Sequence, residues 1–305
     1  MKKTFIRWMT RNHRRIKTHL LNHRLPVATW AYFRLLSLMD GLLGRGQLTP
    51  LERLGNMLWK QNYFRHCETA PRFLVETQHP VAVTSADHLH PRGTVHDNSL
   101  NRRFNLKVYD VFCHQIPISL MDLGCAGGGL VRSFLEDGHL AIGLEGSDIS
   151  QRTRSGEWDT IPFHLFTCDI TQPFQVSLDG HPAEFDVIMS WEVLEHIPEE
   201  ALPTLIDSIS RHLKWNGYFI GSVDLLPDGN PLTGANYHTT LKPATWWEEQ
   251  FRSQGMVKAE RHPFTTEDMV RGNGLSLKDW SPEDGGGIHL VLRKSVAQAT
   301  SGVSS

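Results

Sequence analysis

The side chains best suited to chemistry follow short apolar runs in the second half of the chain. Asp122 ends the run Ile118–Asp122 and is followed by Leu123–Gly129, with the sequence L-G-C-A-G-G-G. Glu145 ends the next apolar run. Small residues in such a loop let a ligand lie against bare backbone at the carboxyl end of a strand. A carboxylate at the next strand tip can accept hydrogen bonds from both ribose hydroxyls, so the pattern predicts a bound nucleoside.

Two classes of cofactor compete for a nucleoside site of this kind. A dinucleotide fingerprint requires glycine where Ala126 stands, because the pyrophosphate approaches the backbone there, and it does not need Asp122. A cofactor with an amino-acid ammonium group and no phosphate, S-adenosylmethionine, fits both residues. The residues favour S-adenosylmethionine, and an NAD-dependent oxidoreductase on the same sheet is the alternative.

The ordered motifs resemble those of class I S-adenosylmethionine-dependent methyltransferases over roughly residues 107–294. These motifs are Asp122–Gly129, Glu145, Cys168–Ile170 and Phe185–Ile197. The run Glu192–His196, E-V-L-E-H, is similar to that of ubiquinone-biosynthesis-type O-methyltransferases. The resemblance implies a Rossmann-like sheet and methyl transfer to a small-molecule or glycoside acceptor, with oxygen favoured as the acceptor atom.

The resemblance also implies a set of cofactor contacts. This set is Asp122, Gly124, Cys125, Ala126, Glu145, Asp169, Ile170 and Trp191. Asp122 and the backbone of the glycine loop would line the methionine end, and Glu145 would hold the ribose. Asp169 would accept a hydrogen bond from the adenine amino group. We expect Ala126, which replaces the commoner glycine, to change the fit of the cofactor more than the activity.

The acceptor side of the site carries Glu192, Glu195 and His196, which are spaced i, i+3 and i+4. They would share one face of a helix, and the related ubiquinone-pathway enzymes suggest a metal such as Mg²⁺ on these three residues. Alternatively, His196 acts directly as the base that a hydroxyl acceptor requires, or the group only shapes the pocket. His238, in a loop rich in glycine and proline, is a second candidate base. The candidate catalytic residues are therefore Glu192, His196 and His238.

The elements that must position these residues alternate in type along the chain. Strands are predicted at Ile118–Asp122, Leu140–Glu145, Phe163–Cys168, Phe185–Trp191, Tyr218–Val223, Met256–His262 and Ile288–Arg293. Helices are predicted over Gly127–Asp137, along the apolar stripe Leu202–Leu213, and from a capping box at Thr245 to Gly255. This alternation predicts an α/β fold with a mostly parallel seven-stranded sheet and an N-terminal helical extension.

The first third of the chain has a different composition. Residues 1–39 contain nine lysines and arginines and no acidic residue. We predict a basic helical region with a polar loop over 1–105, a methyltransferase domain over 106–295 and a disordered tail over 296–305. Residues 1–24 would form a basic helix that either contacts an anionic membrane surface or packs as an ordinary helix. The polar loop, Ser85–Asn105, would be a substrate-gripping lid or a linker.

Composition narrows the function further. A hydrophobic content of 40% excludes a disordered chain, and a formal net charge of −2 gives no reason to expect a nucleic-acid partner. Four cysteines without a C-x-x-C pair suit a reducing cytosol. We therefore expect a cytoplasmic enzyme, with or without peripheral membrane contact, that acts on a small molecule. A non-catalytic protein that keeps the fold and binds a membrane or partner is the remaining alternative.

Overall fold

The computed structural model of the chain describes residue 63 and residues 72–91, 94–95, 97–112, 117–230, 234–269 and 286–295. The expectations for the basic N-terminal helix and for the C-terminal tail lie outside these residues. Within the described ranges, no helix combines the length and the apolar character needed to cross a bilayer.

Twelve strands and six α-helices are described in these ranges. The strands are β1 (Phe73–Thr77), β2 (Ser119–Leu123), β3 (Leu140–Glu145), β4 (Leu165–Thr167), β5 (Phe174–Leu178), β6 (His181–Pro182), β7 (Phe185–Trp191), β8 (Leu213–Asp224), β9 (Gly229–Asn230), β10 (Ala235–Asn236), β11 (Met256–Lys258) and β12 (Gly287–Lys294). The helices are α1 (Ala86–Leu89), α2 (Arg102–Val111), α3 (Gly129–Glu136), α4 (Ile149–Thr153), α5 (Leu202–His212) and α6 (Ala244–Ser253).

Seven of the strands form one central sheet in the order β11-β12-β8-β7-β2-β3-β4. The pairs from β8 to β4 are parallel, and β12 runs antiparallel to both of its neighbours. The predicted mostly parallel α/β sheet is therefore confirmed. β3 and β7 have the predicted bounds, whereas β4 and β11 are shorter than predicted and β8 begins five residues earlier.

The core follows from the apolar patterns of these elements. Every residue of β2 and β7 is buried, as expected for central parallel strands that are covered on both faces. The stripe predicted for α5 is buried through Leu202, Leu205 and Ile209. α3 buries Val131 and Phe134 beside β2 and β3. Burial of these side chains away from water is the main favourable term that holds the helices on the sheet.

The structure also contains a second, smaller sheet that the sequence analysis did not predict. β1 pairs antiparallel with β5, and β5 pairs with β6. β1 falls within residues 1–105, which the sequence analysis assigned to the N-terminal region. Here the described residues from 72 onward belong to one compact unit that includes the central sheet.

The start of α6 differs from the prediction. The helix begins at Ala244 after the N-cap Pro243, and it has no side-chain cap. The predicted capping box at Thr245 is wrong because this residue already lies within the first turn. Proline suits the position before a helix because its φ is fixed and because its missing N–H would have no helical partner there.

Two unpredicted caps occur in the stretch predicted as loop. The side chain of Ser85 accepts a hydrogen bond from the backbone N–H of His88, and that of Asn101 accepts one from Phe104. These caps start α1 and α2, so the predicted polar loop contains helical turns. Serine and asparagine at such positions are typical helix starts, and the sequence carried this signal.

Asp186, at the start of β7, fixes this strand against β2. Its carboxylate accepts hydrogen bonds from the backbone N and the Oγ of Ser119, both at 2.8 Å, and from Nζ of Lys214 at 2.9 Å. The residue is 3% exposed. Removal of this carboxylate would leave a buried N–H without a partner, which is costly.

We expect Asp186→Ala to lower the free energy of unfolding by about 2–4 kcal/mol. Urea denaturation monitored by circular dichroism measures this change. The matched control is Asp207→Ala, which removes an exposed partner of Arg211 and should cost about 0.5 kcal/mol or less. Equal losses in the two variants would contradict the role given to Asp186.

Candidate active site

The carboxyl ends of β2, β3, β4 and β7 border a cavity of about 840 Å³. Its wall includes Gly124, Glu145, Asp169 and Trp191, each at or just beyond the end of one of these strands. Ligands of open α/β sheets bind at this edge. The volume is within the range of small-molecule sites.

The glycine loop after β2 has a left-handed backbone at three positions, Gly124, Ala126 and Gly128. Gly124 has φ +75°, and a Cβ there would lie 2.4 Å from Cγ2 of Val193. Ala126 has φ +45° although it is not glycine. Its N–H donates to Glu145 at 2.8 Å, and its carbonyl accepts from Nε1 of Trp158 at 2.8 Å. These two bonds hold the alanine in a conformation that glycine adopts more readily.

The second half of the glycine loop is covered by the chain segment Asp97–Ser99. The N–H of Gly127 donates to the carbonyl of Asp97 at 2.8 Å. A Cβ at Gly127 would lie 2.6 Å from that oxygen, and one at Gly129 would lie 2.6 Å from the carbonyl of Ser99. These glycines therefore serve close packing, and the start of α3, where a pyrophosphate would bind, faces protein backbone.

Glu145 is held in place by the loops on both sides of it. Its Oε2 accepts from the N–H of Ala126, and its Oε1 accepts from the N–H of Ser147 at 3.0 Å. Burial raises the pKa of this carboxyl to about 6; the charge of Asp87 acts in the same direction, and the backbone donors oppose it. Each oxygen has a second lone pair, so Glu145 can also accept from a ligand hydroxyl.

Beside Glu145, the wall combines one carboxylate with apolar surface. Oδ1 of Asp169 accepts from the N–H of Thr171 at 3.0 Å and from its Oγ1 at 2.6 Å. Ile170 and Trp191 are buried and also border the cavity. Phe104 packs edge-to-face on the Trp191 ring, with the centroids 5.2 Å apart. The arrangement offers a fixed acceptor next to a flat apolar surface.

Two of the predicted cofactor residues lie behind this wall. Asp122 and Cys125 are buried and do not border the cavity. The thiol of Cys125 faces β3, since a Cβ at Gly143 would lie 2.7 Å from its Sγ. Burial raises the pKa of this thiol, as do the nearby charges of Glu145 and Asp122. The other predicted cofactor residues border one cavity: Gly124, Ala126, Glu145, Asp169, Ile170 and Trp191.

At the other end of the cavity, His196 pairs with Asp87. Nδ1 of His196 lies 2.8 Å from Oδ2 of Asp87, which belongs to α1. Burial lowers the pKa of this imidazole, but the hydrogen bond and the charge of Asp87, with those of Glu195 and Asp228, outweigh burial and raise the pKa overall. The sequence gave no sign of this pair, because the two residues are 109 positions apart.

The predicted shared face of Glu192, Glu195 and His196 is wrong. Glu192 has φ +53°, and a short 3-10 turn begins only at Leu194, so the stretch is not one helix. The carboxylate of Glu192 instead accepts a hydrogen bond from Oγ of Ser222. A non-glycine residue with such a backbone at a cavity wall is typical of functional sites.

His238 occupies the place that Glu192 was expected to fill. Ligand atoms of Glu195, His196 and His238 lie within 4.8 Å of one another. Nδ1 of His238 lies 2.5 Å from the carbonyl of Leu226, and a carbonyl can only accept, so this nitrogen carries the proton. This tautomer leaves Nε2 of His238 as a proton acceptor or metal ligand.

Glu195 lies behind the two imidazoles and is fully buried. Its Oε1 accepts from the N–H of Asp224 at 3.0 Å, and its Oε2 has no hydrogen-bond partner among the described residues. Burial and the charge of Glu192 raise the pKa of Glu195 well above its ordinary value. A buried carboxyl oxygen without a partner is an unusual and costly feature.

A family model described as a methyltransferase domain matches residues 98–273, which is more than half of the chain. The chain therefore belongs to the methyltransferase domain family and is an enzyme of the methyltransferase class. The comparison lends no support to the oxidoreductase alternative. A comparison with curated protein sequences returned no match.

Solved structures with a similar fold include three methyltransferases. A TehB-like SAM-dependent methyltransferase from Corynebacterium glutamicum is 14% identical, with 63% of this chain and 88% of that chain covered and a TM-score of 0.42. Magnesium protoporphyrin IX methyltransferase from Synechocystis is 16% identical, with 63% and 82% covered and a TM-score of 0.40. The 1,6-didemethyltoxoflavin-N1-methyltransferase from Burkholderia thailandensis is 16% identical, with 69% and 84% covered and a TM-score of 0.43.

We expect Gly124→Ala to lower the free energy of unfolding by about 2–4 kcal/mol, because strain at positive φ adds to overpacking against Val193. The control is Gly138→Ala, at φ +85° with no atom within 4 Å of a new Cβ. This control should show the backbone cost alone, about 1–2 kcal/mol. The double variant Gly124→Ala/Val193→Ala should lose less stability than the two single changes combined. Equal losses at positions 124 and 138 in chemical denaturation would contradict the steric explanation.

Proposed function

We propose that this methyltransferase uses S-adenosylmethionine to methylate a hydroxyl group of a small-molecule or glycoside acceptor. The observation that carries the proposal is that Glu145, Asp169 and His196 border one cavity. The first two are hydrogen-bond acceptors suited to adenosine, and the third is a base suited to a hydroxyl.

The cofactor end has the chemistry that S-adenosylmethionine requires. Glu145 would accept hydrogen bonds from the ribose, and Asp169 would accept one from the adenine amino group beside Ile170. The bare backbone at Gly124 lets the methionine part lie close to the loop. A dinucleotide fits poorly, because the segment Asp97–Ser99 covers the helix start that would bind its pyrophosphate.

The acceptor end has the chemistry to remove a proton. S-adenosylmethionine supplies a methyl group on a sulfonium, which is already electrophilic, so the chain must orient the acceptor and manage its proton. Because Nδ1 of His196 pairs with Asp87, Nε2 is the ring nitrogen that can accept a proton. As the new C–O bond forms, Nε2 takes the hydroxyl proton and Asp87 stabilises the resulting imidazolium.

A metal-assisted reaction is the second candidate, because Glu195, His196 and His238 lie close together. Two imidazoles and one carboxylate suit transition metals, whereas Mg²⁺ prefers oxygen ligands. The residues present therefore do not fit the predicted Mg²⁺. We prefer His196 as the direct base, because this role requires no bound metal.

The E-V-L-E-H run supports a relation to ubiquinone-biosynthesis-type O-methyltransferases, and the position of His196 beside the cavity agrees with a role in the reaction. The toxoflavin and protoporphyrin methyltransferases named above act on small molecules, which is the acceptor class proposed here. Membrane contact through residues 1–24 and a cytoplasmic location remain predictions.

We expect the protein to bind S-adenosylhomocysteine in isothermal titration calorimetry and to show no response to NAD. Glu145→Ala should weaken this binding by about 1–3 kcal/mol, because buried donors lose their partner. Glu199→Ala, which removes an exposed partner of Lys242 and does not border the cavity, is the matched control and should bind like the native protein. Absence of S-adenosylhomocysteine binding, or unchanged affinity in Glu145→Ala, would contradict the proposed cofactor site.

We expect His196 to titrate above the ordinary histidine pKa in NMR spectra of the ¹⁵N-histidine-labelled protein, with the signal assigned from His196→Ala. Asp87→Asn removes the charge that stabilises the imidazolium, so the titration should move to lower pH. The neutral form of His196 would then persist to lower pH. The part of the pH–rate profile that depends on this form should also shift to lower pH. An unchanged titration in Asp87→Asn would refute the pairing, and His181, an exposed histidine of β6, serves as an internal reference.

A further inference from the structure

The cavity is rich in carboxylates. Seven of them border it: Asp87, Asp97, Glu145, Asp169, Glu192, Asp224 and Asp228. No lysine or arginine is among the described residues of its wall. Carboxylates gathered around a concave site focus a negative potential there, which attracts cations and repels anions.

Four of these carboxylates, Asp97, Glu192, Asp224 and Asp228, have no role in the proposed reaction. Glu145 and Asp169 are assigned to adenosine, and Asp87 to His196. Asp224 ends β8 and Asp228 follows it at the acceptor end, and Asp228 is close enough for its charge to act on His196.

Neither Asp224 nor Asp228 has a lysine or arginine partner in the described parts of the chain. Oδ1 of Asp224 accepts from the N–H of Leu226 at 2.8 Å, and the described residues offer neither aspartate an ion pair with lysine or arginine. A ligand that covers them removes water from both carboxylates. That loss is costly unless the ligand provides a donor or a positive charge.

A second feature points to a donor at the same end. Oε2 of Glu195 is buried and has no hydrogen-bond partner among the described residues. The Glu195 carboxylate lies within 4.8 Å of ring nitrogens of His196 and His238, which both border the cavity. The acceptor end therefore has a buried carboxyl oxygen without a described partner behind the imidazoles, and two carboxylates without a lysine or arginine partner at Asp224 and Asp228.

We infer that the methyl acceptor is an organic cation, an amino alcohol or amino sugar whose protonated amine pairs with Asp224 and Asp228 while its hydroxyl faces His196. This inference rests on the proposed function and names its substrate class. An acceptor with a carboxylate or phosphate at that place would meet like charges and would be excluded.

The pairing also selects the atom that is methylated. An amine held as ammonium by two carboxylates has no lone pair and cannot act as the nucleophile. The hydroxyl oxygen beside Nε2 of His196 forms the new O–CH₃ bond, the C–S bond of the sulfonium breaks, and the hydroxyl proton moves to Nε2. The products are an O-methyl ammonium compound and neutral S-adenosylhomocysteine.

Matched probes that differ only in charge test the inference. Glucosamine and N-acetylglucosamine form one pair, and dopamine and N-acetyldopamine form another. Their affinities for the protein saturated with S-adenosylhomocysteine are measured by ligand-observed NMR in the presence of EDTA. We expect the charged member of at least one pair to bind about tenfold more tightly, the ratio that one charge-assisted hydrogen bond provides.

Variants assign the effect to the two aspartates. Asp224→Asn and Asp228→Asn should each reduce the charged-to-neutral affinity ratio several-fold, and Asn can still accept the hydrogen bond from Leu226. Asp207→Asn removes an equal charge from the surface of α5 and should leave the ratio unchanged.

The outcomes separate this inference from the proposed function. Failure to bind S-adenosylhomocysteine would overturn the proposed function itself. Binding of S-adenosylhomocysteine with equal affinities within both probe pairs, including no binding by either member, would overturn only the cation inference. A charge preference that survives in both variants, or that appears only when a divalent metal replaces EDTA, would also overturn it.

Discussion

The site depends on one buried carboxylate, that of Glu145 at the tip of β3. Its two oxygens accept hydrogen bonds from the loop after β2 and from the chain that follows β3. Burial of a charge in this position is unfavourable, as the raised pKa shows, and the backbone donors offset part of that cost. The hydrogen bond from the N–H of Ala126 to Glu145 helps to keep Ala126 in a left-handed backbone, so the shape of the glycine loop depends on Glu145. The end of the cavity to which we assign the cofactor is built around this contact.

Asp87 connects that end of the cavity to the acceptor end. Its charge disfavours ionised Glu145 and favours protonated His196, so one side chain affects both groups. The segment that carries Asp87 is tied to the residue after β3 by a hydrogen bond from the N–H of Ala82 to the carbonyl of Gly146. A negative potential throughout the cavity suits a sulfonium, an imidazolium and, in our inference, a cationic acceptor. Under the proposed function, one electrostatic arrangement would serve both the binding of the two reactants and the transfer of the proton.

Segments outside the central sheet complete the site. Asp97–Ser99 packs on the glycines at the start of α3, which leaves the cavity to a ligand without phosphates. β1 pairs with β5, and β1 precedes the turn that leads to Asp87. These additions distinguish the chain from a bare nucleoside-binding sheet and define which side chains reach the ligand.

The sequence by itself determined the features that depend on local pattern. Apolar runs located β3 and β7 with their correct bounds, and small residues and acids at strand ends indicated residues that border the cavity, because these signals repeat within one element or its next turn. It could not predict the Asp87–His196 pair, the pairing of β1 with β5, or the cover over Gly127. It also misplaced Glu192, whose backbone turns away from a helix, and it did not indicate that Asp122 and Cys125 lie behind the wall. Each of these features depends on contacts between residues far apart in the chain, and only the folded backbone decides which distant groups meet.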